Sequence, residues 1–218
     1  MSKTRQVPSA QAPAGRQQEK SAAMRLRICK AAAKRLAASG YHGTSIKQVV
    51  DGAGVSLGAL QHHFPSKYDL VEATAEYLLG RSIKWFQRIK TELEKDPGAF
   101  GEVMRRSWAD QFTTPDYGAL LEILVAARSD AALRKRIAPK LEDWRNAIEL
   151  ELRDLLTPIA KNTDELNAIL TIGRCMMTGL LVHDGLLGDE QHMRNVIDAW
   201  VGLVTRSARQ TSRMERKT

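Results

Sequence analysis

IKQVVDGAGVSLGALQHHF, residues 46–64, decides how the whole chain is read. Its GVSLG segment, residues 54–58, fits G-x-S-x-G, the nucleophile elbow of serine hydrolases, with Ser56 as the nucleophile. The same letters fit the turn and second helix of a helix-turn-helix. An elbow needs a strand before its serine and, later in the chain, an Asp/Glu and then a His. Acids and His183 or His192 could supply the second requirement. The first fails. Ile46, Val49, Val50 and Ala53 recur at i, i+3, i+4 and i+7, which is one face of an amphipathic helix, and Gln48 breaks the alternation a strand wants. Nor does the chain contain the Val/Ile-rich runs of a buried parallel sheet. GAGVSLG also approaches the phosphate-cradling G-x-G-x-x-G. After Gly52 and Gly54, however, the third glycine falls at 58, one position late, and no strand precedes it.

The helix-turn-helix reading meets every local requirement. Helices over about 45–52 and 57–63 are joined by the tight turn GAGV. Ser56 caps the second helix, and Pro65 ends it because proline disfavours helical geometry in the residue before it. Ala53 is small where the helices cross, and Val55, Leu60 and Phe64 can fill a small core. Upstream, Met24, Ile28, Ala31, Ala32 and Leu36 predict a helix that SGYHG ends near Gly40. Downstream, Ser66 caps a long helix through Leu70, Tyr77, Leu78, Trp85 and Ile89. DPG at 96–98, TPD at 114–116 and SD at 129–130 mark breaks, and Pro139 either kinks a helix or starts one. Two long stripes close the chain. The first is Leu166, Ile169, Leu170, Gly173, Met176, Met177 and Leu180; the second is Met193, Val196, Ile197, Trp200 and Val204. The expected fold is all-α, a small three-helix unit followed by a larger helical domain. The expected divisions are a disordered basic arm over 1–20, the helix-turn-helix over 21–66, the larger domain over 67–212 and a basic tail over 213–218.

Charge agrees with a nucleic-acid partner. The net charge is +8, and residues 1–70 hold 11 Lys/Arg against 3 Asp/Glu while the remainder holds 22 of each. A basic first third beside a neutral remainder is the electrostatic footprint of a nucleic-acid-binding module joined to something else. No run approaches the roughly 18 uninterrupted apolar residues of a membrane span, and the polar, basic N-terminus lacks the apolar core of a secretory signal. Cys29 and Cys175 read as unpaired thiols suited to a reducing cytosol, so the expected location is cytoplasmic and away from membranes. His62 and His63 are adjacent, whereas helix-borne metal ligands come at i, i+4. No metal and no cofactor is expected.

From residue 28 to 71 the sequence resembles the N-terminal domain of TetR/AcrR-type transcriptional regulators. The shared landmarks are Gly40–Tyr41, Thr44–Ser45, A-G-V-S at 53–56, G-x-L at 58–60, H-F at 63–64 and K-x-x-L at 67–70. Residues 120–156, with Trp144 after Pro139, are most similar to the choline-responsive BetI-type subgroup. The resemblance implies that Thr44, Ser45, Lys47 and Lys67 meet the DNA backbone. It further implies that Leu57, Gly58, Ala59, Gln61, His62 and His63 form the recognition surface, with His63 partly packed; Ser56, the cap of that helix, can contact a phosphate. Two departures stand out: Gln61 replaces a common tyrosine, and Leu57 replaces a residue that is often polar. Gln61 can bridge an adenine edge or bond a phosphate, whereas Leu57 and Ala59 offer only apolar contact.

The resemblance also implies a dimer on a pseudo-palindromic operator in double-stranded DNA, released by a small-molecule effector, and most simply a repressor. The effector pocket is expected among Trp85, Phe86, Met104, Trp108, Phe112, Tyr117, Trp144 and Met177. The homodimer interface is expected at Met176, Leu180, His183, Ile197, Trp200 and Val204. Against this non-enzymatic reading stand two alternatives, the serine hydrolase using Ser56 and a non-specific architectural DNA-binding protein.

Overall fold

A computed structural model describes residues 14–156, 162–183 and 186–215, and all the regular structure among them is helical. Helix α1 (Ala14–Gly43) takes in residues 14–20, which the sequence had assigned to an unstructured arm; residues 1–13 of that arm lie outside the described residues. At Gly40 the backbone turns to φ 68 and ψ 177, so the helix is interrupted where SGYHG predicted an end.

Three serines set the registers that follow. Ser45 caps α2 (Ile46–Ala53) in a reciprocal capping box with Gln48. Gly54 ends α2 in the left-handed conformation, φ 60 and ψ 44, which glycine adopts without a Cβ penalty. Ser56 then caps α3 (Leu57–His63), its Oγ accepting from the Ala59 N–H at 3.1 Å. Ser66 and Asp69 form a second capping box at the start of α4 (Lys67–Lys95). Each cap satisfies amide donors that a helix start leaves without partners.

After a 3-10 turn come α5 (Phe100–Ser107) and a π-helical turn over Trp108–Phe112, closed by the Thr113 N–H on the Trp108 carbonyl. Helix α6 (Pro115–Ser129) is capped by Thr114, and α7 (Ala131–Leu156) runs through Pro139. Helices α8 (Thr163–Val182) and α9 (Glu190–Glu215) complete the described chain. Residues 213–215 of the expected basic tail are thus helical, and residues 216–218 lie outside the described residues.

Two cores share helices. The small one gathers Ile28, Cys29 and Ala32 of α1, Val49 and Ala53 of α2, Leu60 of α3, Phe64 and Leu70. The next gathers Ala33 and Leu36 of α1 with Val71, Ala75 and Leu78 of α4, Ala119 and Ile123 of α6, and Leu133 and Ile137 of α7. Leu70 and Val71 are neighbours in the chain but belong to different cores. Helices α1 and α4 therefore each contribute to both cores.

Candidate nucleic-acid interface and inter-helical cavity

Helix α3 buries Leu60 and turns the rest of its surface outward. Ser56, Leu57, Gly58, Gln61 and His62 are exposed, Leu57 by 50%, and Ala59 and His63 are half-buried. The sequence-predicted recognition surface is thus one contiguous face, and Ser56 stands on it as a cap. No strand precedes Ser56, so the elbow geometry that a nucleophilic serine needs is missing there.

Two arginines that the sequence reading passed over hold this helix in place. Arg25 donates to the His63 carbonyl at 2.9 Å and lies 4.5 Å over the Phe64 ring. Arg27 donates to the Gly54 carbonyl at 3.3 Å. One arginine thus fixes the end of α3 and the other fixes the turn before it. Burial, then His62 and Arg25, lower the pKa of His63, so its imidazole favours the neutral form. The available signal was the i, i+2 arginine pair on the basic helix α1, but nothing in spacing alone gave it a target.

The expected backbone contacts divide. Lys47 is exposed, and Ser45 is exposed with its hydroxyl held in the capping box. Thr44 is buried and its hydroxyl donates inward to the Gly40 carbonyl at 2.7 Å, so it is a structural bond and not a free phosphate ligand. Lys67 is half-buried and donates to the Tyr41 carbonyl at 2.8 Å, which leaves two of its three N–H donors; burial lowers its pKa.

A cavity of about 460 Å³ lies between α4, α5, α7, α8 and the π-helical turn. Its walls include Trp85, Phe86, Met104, Phe112, Tyr117, Trp144 and Met177, all expected from the sequence. Trp85 and Phe86 pack edge to face at 4.8 Å, and Phe86 and Trp144 at 6.4 Å. Trp108 does not line it; it packs beside Phe112 and Met177 in an adjoining cluster. The polar members Gln111, Asn167 and Arg174 were not anticipated. Gln111 reaches the wall from the π-helical turn, a local widening that sequence periodicity does not encode. Arg174 had left a trace, as the lone cation inside the apolar stripe of α8.

The sequence profile described as "Bacterial regulatory proteins, tetR family" matches residues 28–74, which span α2, α3 and the core that holds them. The chain is also 29% identical over 157 residues to the HTH-type transcriptional regulator CymR of Pseudomonas putida, covering 72% of this chain and 77% of that one. Among solved structures, the transcriptional regulator FadR of Bacillus subtilis, in complex with stearoyl-CoA, superposes with TM-score 0.57 at 16% identity, covering 82% of this chain and 96% of that one. The multidrug binding protein EbrR, complexed with imidazole, gives TM-score 0.57 at 22% identity, covering 81% and 93%. Residues 28–74 are a DNA-binding domain of the TetR family. Its helix-turn-helix makes the chain a DNA-binding regulator of transcription.

In this chain the stripes expected to pair subunits mostly face inward. Leu180, Ile197 and Val204 are buried inside the subunit, and Met176 is half-buried against the same cluster. Trp200 lines the cavity, fitting over Gly173, where a Cβ would lie 2.7 Å from its ring. His183 is exposed at the end of α8, where its N–H donates to the Gly179 carbonyl at 2.8 Å. The opposite faces are the ones left open. Ile172 is 56% exposed and Leu203 62%, with Ala168, Cys175, Gly179 and Val182 exposed at alternating steps of four and three along α8. Helix α8 has a mean hydropathy of 1.3 over an 18-residue window, of which only 17% is buried. A single such helix within a bundle is weak evidence of a membrane span, and its outward stripe has the spacing of a helix–helix seam.

Proposed function

We propose that this regulator is a cytoplasmic repressor that grips a pseudo-palindromic operator as a dimer and lets go when a small molecule fills the cavity. One observation carries the reading: the same helices wall the cavity and hold the DNA-binding unit. Helix α4 contributes Leu70 to the small core and, further along, Trp85, Phe86 and Ile89 to the cavity. Helix α6 contributes Tyr117 to the cavity and Ala119 and Ile123 to the core shared with α1. A ligand that displaces either helix moves α1–α3 with it. The equilibrium shifts only by the ligand's differential affinity for the two arrangements.

A single module of this kind buries too little surface for operator-level affinity, which favours a two-fold dimer with recognition helices one turn of DNA apart, roughly 34 Å. The outward stripes of α8 and α9 around Ile172, Val182 and Leu203 support pairing through those helices. On the DNA, Gln61 reads a base edge, Leu57 and Ala59 meet apolar groups such as a thymine methyl, and Ser45, Lys47 and Lys67 approach phosphates. With so few hydrogen-bonding groups on α3, phosphate contacts and DNA shape supply much of the affinity.

The test is selection of genomic fragments by the purified chain, followed by competition against bulk genomic DNA. A specific regulator enriches few fragments and protects two related half-sites. Equal retention of all fragments would support the architectural alternative. Gln61→Ala should change the sequence preference of the enriched set, and an unchanged preference would remove Gln61 as a base reader.

A further inference from the structure

The charged groups around the cavity are not balanced. Glu142 and Arg145 of α7 pair with each other at 3.5 Å, with both side chains largely in solvent. Arg174 of α8 is half-buried in the wall and makes no ion pair among the described residues. Its charge reaches the half-buried Tyr117 hydroxyl, where, after the Thr178 hydrogen bond, it opposes the rise that burial imposes on that phenol. A second donor is also unmet. The indole Nε1 of Trp144 is buried and has no hydrogen-bond partner among the described residues. A buried donor without an acceptor costs about 1–3 kcal/mol, and native proteins leave few of them.

These features select among ligand charges. A cation would meet Arg174 with like charge, and the acid in the wall, Glu142, is already offset by Arg145. A purely apolar molecule would leave both donors unmet. A carboxylate suits the planar fork of a guanidinium, which binds it through two parallel hydrogen bonds. The volume lies in the range of roughly 300–1,000 Å³ usual for small-molecule sites, and three tryptophans and three phenylalanines contribute to the apolar wall.

We propose that the cavity binds an amphipathic organic anion, with an apolar body among Trp85, Phe86, Trp144 and Trp200 and a carboxylate received by Arg174. This assignment rests on reading the cavity as a ligand site, and its test separates binding from control of DNA. The probes are 4-biphenylcarboxylate, the isosteric 4-biphenylcarboxamide and 4-biphenyltrimethylammonium, titrated calorimetrically into the full chain at neutral pH. The carboxylate is expected to bind at least tenfold more tightly than the amide, and the ammonium more weakly than either. Arg174→Gln should erase the preference for acid over amide while leaving amide binding in place. Arg174→Lys, which keeps the charge and loses the fork, should retain part of it. Equal affinity for acid and amide, tighter binding of the ammonium, or no binding of any of the three overturns the assignment. Anisotropy of a labelled genomic fragment, followed in the same samples, answers the other question. Arg174-dependent binding without DNA release would uphold the anion site and overturn its role as the effector switch.

Discussion

Lys67 reaches back 26 residues to donate to the Tyr41 carbonyl at 2.8 Å, with its ammonium 4.4 Å above the Tyr41 ring. The bond ties the start of α4 to the interrupted end of α1. A charge-assisted hydrogen bond of this kind is worth about 1.5–3 kcal/mol, offset in part by the burial that lowers the pKa of the lysine. Lys67→Met should therefore lower unfolding stability by roughly 1–2 kcal/mol, read from urea titration. It should also weaken binding to every fragment alike and reduce the salt slope by about one, because a phosphate contact is indifferent to sequence. A change in sequence preference would show that Lys67 acts through the position of α3.

Gly40 and Gly54 both take positive φ, yet they should not be equally sensitive. Gly54 is in the ordinary left-handed region, and a Cβ there meets nothing within 4 Å. Gly54→Ala should cost about 1–2 kcal/mol from the backbone alone. Gly40 combines φ 68 with ψ 177, a region open essentially to glycine, and a Cβ would lie 2.8 Å from the Glu122 carboxylate. That carboxylate is the far end of a flexible side chain and can move. The backbone term should therefore dominate, and Gly40→Ala should be the more destabilising of the two by thermal unfolding. The reverse order would mean that the α1 interruption is softer than its dihedrals imply.

The small unit was legible because local chemistry decides it. The caps at Ser56 and Ser66 are where the sequence placed them, and the Ser45 cap and the left-handed Gly54 likewise depend on only a few adjacent residues. Resemblance named the positions on α3, but it could not show that Thr44 points inward, because that follows from where the Gly40 carbonyl lies. The last two helices were harder for a different reason. Helix α8 is apolar on more than one face, so periodicity finds stripes without saying which faces the subunit's own core. Met177 and Leu180 took the inner face and Ile172 and Val182 the outer one. Trp200 turned to the cavity because Gly173 leaves room for its ring, a pairing between helices that neither stripe contains.

Acid should loosen the joint between α4 and α7. Asp69 accepts from the Ser66 hydroxyl and from Arg136 of α7, and these bonds hold its carboxyl below the usual carboxylate range. Asp130 is lowered by the Leu133 backbone N–H and by Tyr68. A carboxyl whose folded pKa is depressed contributes stability that is present above its unfolded pKa, near 4, and lost as pH falls through the folded value. Stability should accordingly be flat near neutrality and decline below about pH 4. Arg136→Gln removes one of the bonds on Asp69 and should make that decline shallower. An acid limb unchanged in the variant would assign the transition to other carboxyls.

Gly173→Ala tests the fit between α8 and α9 at the cavity wall. The added methyl would lie 2.7 Å from Cζ2 and 3.0 Å from Cη2 of Trp200, closer than such carbons pack. Unlike the Glu122 carboxylate at Gly40, the indole is rigid and is boxed in by Phe100 at 6.2 Å between ring centroids. It must swing into the cavity or push α9 outward. Overpacking of this kind costs typically about 1–3 kcal/mol, so the midpoint of urea unfolding should fall accordingly. The two escapes differ in a second measurement. Rotation of Trp200 into the cavity shifts its fluorescence and weakens 4-biphenylcarboxylate binding, with the oligomeric state unchanged. Displacement of α9 moves Leu203 and the outer stripe, so it lowers the stability of the proposed dimer in sedimentation equilibrium while ligand binding persists. Because Gly101 of α5 packs closely on Val201 of α9, the first escape should prevail. A stable variant with unchanged fluorescence and unchanged ligand affinity would show that Trp200 does not form that wall.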